Sequence, residues 1–565
     1  MQRHLLDDVA NRYVDAMAAL DPITATYLGI AGYENLLTDY SPEGFAARAE
    51  LTRDTLTQLA TLASQRGTDQ DAVSIDAMQE RLGVAIDLYD AGVTTSTLNV
   101  FSSPMRSIRS TFDLMPTATS HDWRAVADRL HQVPTALRGY QRTLTEACAA
   151  GQAPARRQIE ACIEQCESWL PPASDFFGDL VRQANVDTTL AATLEAGAAA
   201  ARGAFAEFTE FLRSLLPIGR DRDAVGRDVF ALHARECLGI EIDLDEAYAW
   251  GWEELHRIQR EIVATAKDVD PSGRVGAAVD RLDRDPARQI VGTESFLEWL
   301  QEQTDRSIAE LDGTHFDIPE PLRTLTCRIA PTSDGTIYYT GPSEDLSRPG
   351  TMWWSVPRHV TTFSTWRELV TVYHEGVPGH HLQIGGTAHQ TDTLNRWQRR
   401  MCWVPGHGEG WALYVERLMD ELGFFSDPGT RLGMLTAQAS RAIRVILDIG
   451  MHLELVIPPN RSGWHVGERW TPELGFEFLA KHSRADKALI YRELNRCLGA
   501  PARAASYKLG ERIWLQARSN ARERLGAGFS LKTFHDTALR LGSIGLGPFC
   551  RALDRSLGAA HDNGK

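Results

Sequence analysis

His374-Glu-Gly-Val-Pro-Gly-His-His-Leu-Gln383 follows directly on Ser364-Thr365-Trp-Arg-Glu-Leu-Val-Thr-Val-Tyr373. A Ser/Thr start followed by apolar residues at three and four spacing predicts a helix that opens at Ser364-Thr365 and runs into His374. A His followed at once by Glu, with more His one to two turns on, is the pattern a zinc hydrolase requires. Neutral imidazoles hold one Zn²⁺, and the adjacent carboxylate of Glu375 serves as general base toward water. The plain His-Glu-x-x-His spacing is broken, because Pro378 occupies the fifth position. Proline removes a helix hydrogen bond and forces a kink. The second ligand is therefore His380 or His381, beyond the break. His381 shares a face with His374 but lies about 10.5 Å along an ideal helix, whereas His380 needs a bulged turn. Gly376, Pro378 and Gly379 would allow one. With zinc–nitrogen bonds of about 2.1 Å, an undistorted helix could hardly bring both ends to one ion. The alternative is a kinked core helix with capping histidines, and three His and one Glu within His374–His381 fill a core poorly.

A third ligand is expected downstream on another helix. His407-Gly-Glu409-Gly-Trp-Ala-Leu-Tyr-Val-Glu416 offers Glu409 as that ligand, in the first turn of a helix ending near Gly423. Glu416 lies two turns later on the same face, so either carboxylate could be the ligand or support it; Glu409 is the expected ligand and Glu416 its support. A first-turn carboxylate also favours the helix dipole, so Glu409 has a structural reading as well. In Arg441-Ala-Ile-Arg444-Val-Ile-Leu-Asp448-Ile-Gly-Met-His452 the polar residues step by three and four on one face of an otherwise apolar, hence buried, helix. Arg444 and Asp448 read as ion-paired, with Asp448 and His452 able to orient a ligand from behind. Near the C-terminus, Ser506-Tyr507-Lys508 and Phe534-His535-Asp536 offer donors to a tetrahedral oxyanion. Tyr507 and His535 are the candidates for that task, and Lys508 for contact with substrate.

Around this segment the chain is helical. From Leu5 to about Leu215 it is rich in Ala, Leu, Arg and Glu with helical spacing, punctuated at Asp21-Pro22, Ser102-Ser103-Pro104, Gly151 to Pro154 and Pro171-Pro172. Residues 268–291 read as a solvated connector around a short helix. The character changes near 327, where β-branched and aromatic runs predict a short β-meander over 327–360. The expected division is a helical region over 1–326 and a catalytic region over 327–565, forming one continuous body.

The 565 residues carry 59 Lys and Arg against 75 Asp and Glu, a formal charge of −16, which disfavours nucleic acid and anionic membrane surfaces as partners. A hydrophobic content of 43% and a charged content of 24% exclude global disorder. No run of about 18 apolar residues predicts a membrane span. Eight cysteines are too sparse for a disulfide framework, so buried reduced thiols are expected. Charges interrupt the first residues, unlike a signal peptide, and the expected compartment is the cytoplasm.

Together these motifs resemble the bacterial family known as domain of unknown function 885, placed among zincin-like peptidases. Its pattern His-Glu-x-x-Pro-Gly-His-His-Leu-Gln matches 374–383, Glu-Gly-Trp-Ala-Leu-Tyr-x-Glu matches 409–416, and Arg-x-x-Arg-x-x-x-Asp-x-Gly-x-His matches 441–452. An early Pro-x-x-Ala-Thr-x-x-Gly is similar to Pro22–Gly29. The resemblance implies a mainly α fold like that of angiotensin-converting enzyme, thimet oligopeptidase and the thermostable carboxypeptidases. Those are helical shells with a deep channel and a small sheet beside the zinc helix. Their His-Glu-x-Gly-His motif implies that Gly379-His380 supplies the second ligand. It also implies that the strand bearing Tyr338 and Tyr339 receives an extended substrate.

The chain departs from the family where the usual Pro-Gly-Gln-Ala reads Pro501-Ala-Arg503-Ala, and where Gly-Ser-x-Pro-Leu reads Gly542-Ser-Ile-Gly545-Leu546. Arg503 could favour a carboxylate on the substrate. The expected function is a zinc-dependent amide-bond hydrolase, a metallopeptidase on short peptides. The rivals are a zinc enzyme acting on a small non-peptide metabolite or amino-acid conjugate, and a non-catalytic zinc-stabilised scaffold.

Overall fold

The computed structural model describes residues 2–562 except 66, 331–336, 344–345, 358, 461 and 484–485. Helices dominate, and their ends fall where the sequence carries capping chemistry. Asp21 accepts from the Thr24 amide to open Pro22–Leu28, and Gly29 closes it at a φ of 69°. Thr119 and Asp122 form a capping box ahead of Ser120–Ala149. Among the described residues no helix is long and apolar enough to cross a membrane.

Contacts divide the chain into two compact units. The first comprises residues 1–68, 81–233 and 451–501. Its core is aromatic and lies along Ser120–Ala149 and Thr188–Leu215, where Tyr140 stacks on Phe208 at 5.6 Å and Phe177 on Phe205 at 5.4 Å. The early Pro22–Gly29 motif belongs to this framework. Arg129, fully buried, donates to the Pro22, Tyr33 and Leu36 carbonyls and to the hydroxyls of Thr26 and Thr111. One guanidinium thus satisfies a loop that would otherwise bury bare carbonyls.

The second unit comprises residues 69–80, 234–450 and 502–565, and it holds the chemically suggestive motifs. Helices Pro405–Glu421 and Arg503–Leu525 cross backbone to backbone within it. A Cβ on Gly510 would stand 1.9 Å from the Gly406 carbonyl oxygen, so only glycine permits that approach. Helix Pro428–Leu453 runs nearby, and its polar residues reach both.

Strands β1 (Gln289–Val291), β2 (Leu325–Ile329), β3 (Ile337–Thr340), β4 (Gly350–Trp354) and β5 (Thr362–Ser364) make two small sheets. β1 pairs with β5, so the end of the expected connector over 268–291 is a strand. The other sheet corrects the expected meander. Its order is β2-β4-β3, with β2 parallel and β3 antiparallel to β4. β4 is buried at four of its five positions, Met352 and Trp354 among them, and therefore takes the centre. Parallel partners cannot be joined by a hairpin, so β3 is laid on the far side of β4 as an edge. Within 327–360, residues 331–336, 344–345 and 358 lie outside the described residues. Of the eight cysteines, six are buried and Cys148 and Cys550 are half-buried.

Candidate metal centre

Proline at 378 does break the helix. Thr365–Glu375 ends one residue after His374, and His380–His389 begins at His380. The intervening Gly376-Val-Pro-Gly379 folds back so closely that a Cβ on Gly379 would stand 1.9 Å from the His374 carbonyl oxygen. Trp411, fully buried, donates its indole N–H to the Pro378 carbonyl at 2.9 Å and pins the break to helix Pro405–Glu421. The break shortens the axial distance between the two histidines, whose rings meet edge to face with centroids 5.0 Å apart.

Glu409 completes the group. Its Oε2 lies 3.5 Å from His374 Nε2 and 3.4 Å from His380 Nε2, and one ligand atom from each of the three residues falls within 4.8 Å of the others. Tetrahedral ligands about 2.05 Å from zinc are separated by about 3.3 Å, so the carboxylate–imidazole spacings suit a shared ion. The three side chains thus form an enclosed donor set that could hold a metal ion. Helix Pro405–Glu421 starts earlier than expected, at Pro405, which places Glu409 beyond the first turn. Its reading as a helix-dipole carboxylate weakens accordingly.

Glu416 supports this set. One of its oxygens accepts from His374 Nδ1 at 2.8 Å, which turns Nε2 toward Glu409. Its other oxygen accepts from Gln438 Nε2 at 2.7 Å, and Gln438 Oε1 accepts in turn from Lys508. Burial opposes a charged His374, but Glu409 and Glu416 outweigh it and hold its pKa up at about 10. Burial would also raise Glu409, yet hydrogen bonds from both histidines hold it well below the usual carboxylate range. Such a group attracts positive charge, whether a proton or a cation.

Glu375 is 7% exposed, and its Oε2 is buried with no hydrogen-bond partner. Burial raises its pKa, against the pull of His380, His374 and Arg441. A carboxylate left unsatisfied beside a donor set is costly unless something else occupies its lone pairs.

His381 is outside the donor set: Nδ1 meets the Tyr339 hydroxyl and Nε2 the Leu322 carbonyl, both at 2.9 Å. It fastens the second helix to β3. Tyr338 stacks on Trp353 at 6.1 Å, and both tyrosines lie half-buried on the edge strand. Lys508, expected to meet substrate, is 1% exposed and enclosed by Glu254, Glu511 and Gln438. His535, expected at an oxyanion, is 1% exposed in an aromatic shell, stacked on Phe316 at 5.0 Å and hydrogen-bonded to the Tyr414 hydroxyl at 2.7 Å. Asp448 caps helix Arg503–Leu525, accepting from the Ala502 and Ala505 amides at 3.1 and 2.9 Å. Ala502 has no side-chain oxygen with which to do so itself. His452 meets the Cys497 carbonyl at 3.1 Å and the Phe230 ring, inside the first unit. Arg503 opens its helix half-buried. Tyr507 is half-buried, with the guanidinium carbons of Arg441 and Arg444 each 5.6 Å from its ring centre. Gln438 and Trp411 carry no signature of their role in the sequence motifs. Gln438 lies three residues before Arg441, one step along the polar stripe.

The bacterial family described as "Bacterial protein of unknown function (DUF885)" matches residues 22–552. The chain belongs to this family. Two solved structures share its fold. "The putative lipoprotein from Colwellia psychrerythraea" is 21% identical with a TM-score of 0.83, over 99% of this chain and 100% of the other. "A putative lipoprotein of unknown function from Shewanella oneidensis" is 16% identical with a TM-score of 0.73, over 97% and 99%. A comparison with curated proteins finds no match.

Proposed function

We propose that this DUF885 protein is a zinc-dependent amide-bond hydrolase of the zincin-like kind, a metallopeptidase acting on short peptides. The observation that carries the reading is Glu375, an unsatisfied buried carboxylate next in sequence to one member of a His374–His380–Glu409 donor set. His374 and His380 through Nε2, and Glu409 through Oε2, would hold the ion. Bound zinc polarises a carbonyl and lowers the pKa of water. Two imidazoles and one carboxylate are the donors such a hydrolytic site uses, with a fourth position left for water or substrate.

Glu375 takes the proton from the attacking water and delivers it to the leaving amine. Burial raises its pKa, which strengthens it as a base toward that water. Glu416 keeps His374 in the tautomer that presents Nε2. Tyr507 is the donor we assign to the developing oxyanion, and the edge strand β3 would take an extended chain along its outer side. A purely structural metal site would gain nothing from a buried carboxylate without a partner.

The test is metal content and turnover together. The parent should bind one zinc per chain and hydrolyse members of a mixed peptide library, and Glu375→Gln should keep the zinc and lose turnover by on the order of a hundredfold or more. A zinc-loaded parent that cleaves no peptide in the library, while cleaving small amide or ester metabolites, would move the reading to the non-peptide class.

A further inference from the structure

Helix Pro428–Leu453 places Gln438, Arg441 and Arg444 at successive three-residue steps, neighbours along one face. Gln438 grips Glu416, the carboxylate that orients His374. Arg441 therefore stands one turn along the same face from a residue two hydrogen bonds removed from the donor set. Helix Arg503–Leu525 reaches the same residues: Lys508 meets Gln438, and the guanidinium carbons of Arg441 and Arg444 each lie 5.6 Å from the ring centre of its neighbour Tyr507.

Arg441 is half-buried, and its Nε is shielded from solvent with no hydrogen-bond partner. Among the described residues it forms no ion pair, although its charge is felt by Glu375. A partly desolvated guanidinium with an open donor favours an anion, and its planar fork matches a carboxylate.

We propose that Arg441, flanked by Arg444 and Tyr507, binds a free carboxylate of the substrate, so that the hydrolase acts on amides whose amine side ends in a carboxylate: C-terminal residues of short peptides and acyl amino acids. This rests on the hydrolase reading and narrows it. It also moves the carboxylate contact from Arg503, which opens a neighbouring helix, to Arg441, whose charge is felt by Glu375.

The experiment is a binding comparison that needs no turnover. Zinc-loaded Glu375→Gln protein is titrated calorimetrically with pooled N-acetyl dipeptides covering apolar, polar and aromatic side chains, as free acids and as C-terminal amides. The acids should bind on the order of tenfold or more tightly than the amides. Adding Arg441→Gln should abolish that preference while leaving one zinc per chain, and Arg441→Lys should keep part of it. If Arg441→Gln melts far below the parent, Arg441→Lys carries the comparison. Equal affinity for acids and amides, binding of neither, or an undiminished preference in the Arg441 variants would overturn the proposal. Parent protein that binds the acids but never cleaves them would instead overturn hydrolysis and leave the carboxylate site standing.

Discussion

Two kinds of buried histidine occur in this molecule. His374 sits between two carboxylates, and although burial disfavours its charged form its pKa is held up at about 10. His407 and His535 are as deeply buried among Trp514, Phe549, Phe316 and Trp411, and there burial drives the pKa down to about 3. His381 and His452, bonded to backbone carbonyls, fall to about 4 through the same desolvation. Burial alone makes an imidazole neutral, and what surrounds it decides whether that neutrality serves packing or ligation. Carboxylates on both sides create a place for positive charge; aromatic faces and carbonyls create a place for an uncharged ring.

Substitutions in the two kinds of site should therefore separate sharply. His380→Ala and Glu409→Ala should reduce zinc from one per chain to near zero by atomic absorption, since two protein ligands hold a catalytic ion poorly. His535→Phe should leave the zinc content at one per chain. If it removes zinc, the division between the two kinds is wrong. Glu416→Ala should weaken zinc by about 10–100-fold in a chelator competition, because the His374 tautomer is no longer fixed. Gly379→Ala forces a Cβ against the His374 carbonyl, and a loss of about 1–3 kcal/mol in denaturant titration, with weaker zinc binding, is expected.

The neutral histidines also set an acid response. Their folded pKa lies below the ordinary value, so the unfolded chain binds more protons below about pH 6.5. Stability is complete above that pH and falls as pH drops toward about 3, by up to about 1.4 kcal/mol per pH unit for each such group. His535→Phe should flatten this slope in urea titrations between pH 6 and 4, and an unchanged slope would show that His535 is protonated in the folded state.

Much of the ligand set could be read from the chain, because Pro378 sits where a regular helix would place the next ligand and Gly379 precedes His380. The choice between His380 and His381 depends on Tyr339 and the Leu322 carbonyl, which come to His381 from distant positions in the chain. Helical spacing carries no trace of them. For the same reason Asp448 passed for a ligand-orienting group. It accepts from the amides of Ala502 and Ala505, and an amide has no signature in sequence. The polar stripe from Arg441 to His452 was legible as a stripe, but its members serve different neighbours along the length of the helix. The sheet order was hidden too, since alternation reports strands and not their partners.

Ala502 adopts a φ of 63°, a left-handed conformation that penalises a Cβ by about 1–2 kcal/mol. Ala502→Gly should stabilise the protein by a few tenths to about 1 kcal/mol, the smallest effect expected, because glycine loses more entropy on folding. A destabilised variant would mean that the alanine methyl is held by packing that outweighs the strain.

The most direct measurement pairs metal analysis with turnover in the parent and in Glu375→Gln. One zinc per chain in both, with peptide hydrolysis in the parent and almost none in the variant, is the expected result. A folded parent that binds no zinc, or a Glu375→Gln protein as active as the parent, would contradict the central claim.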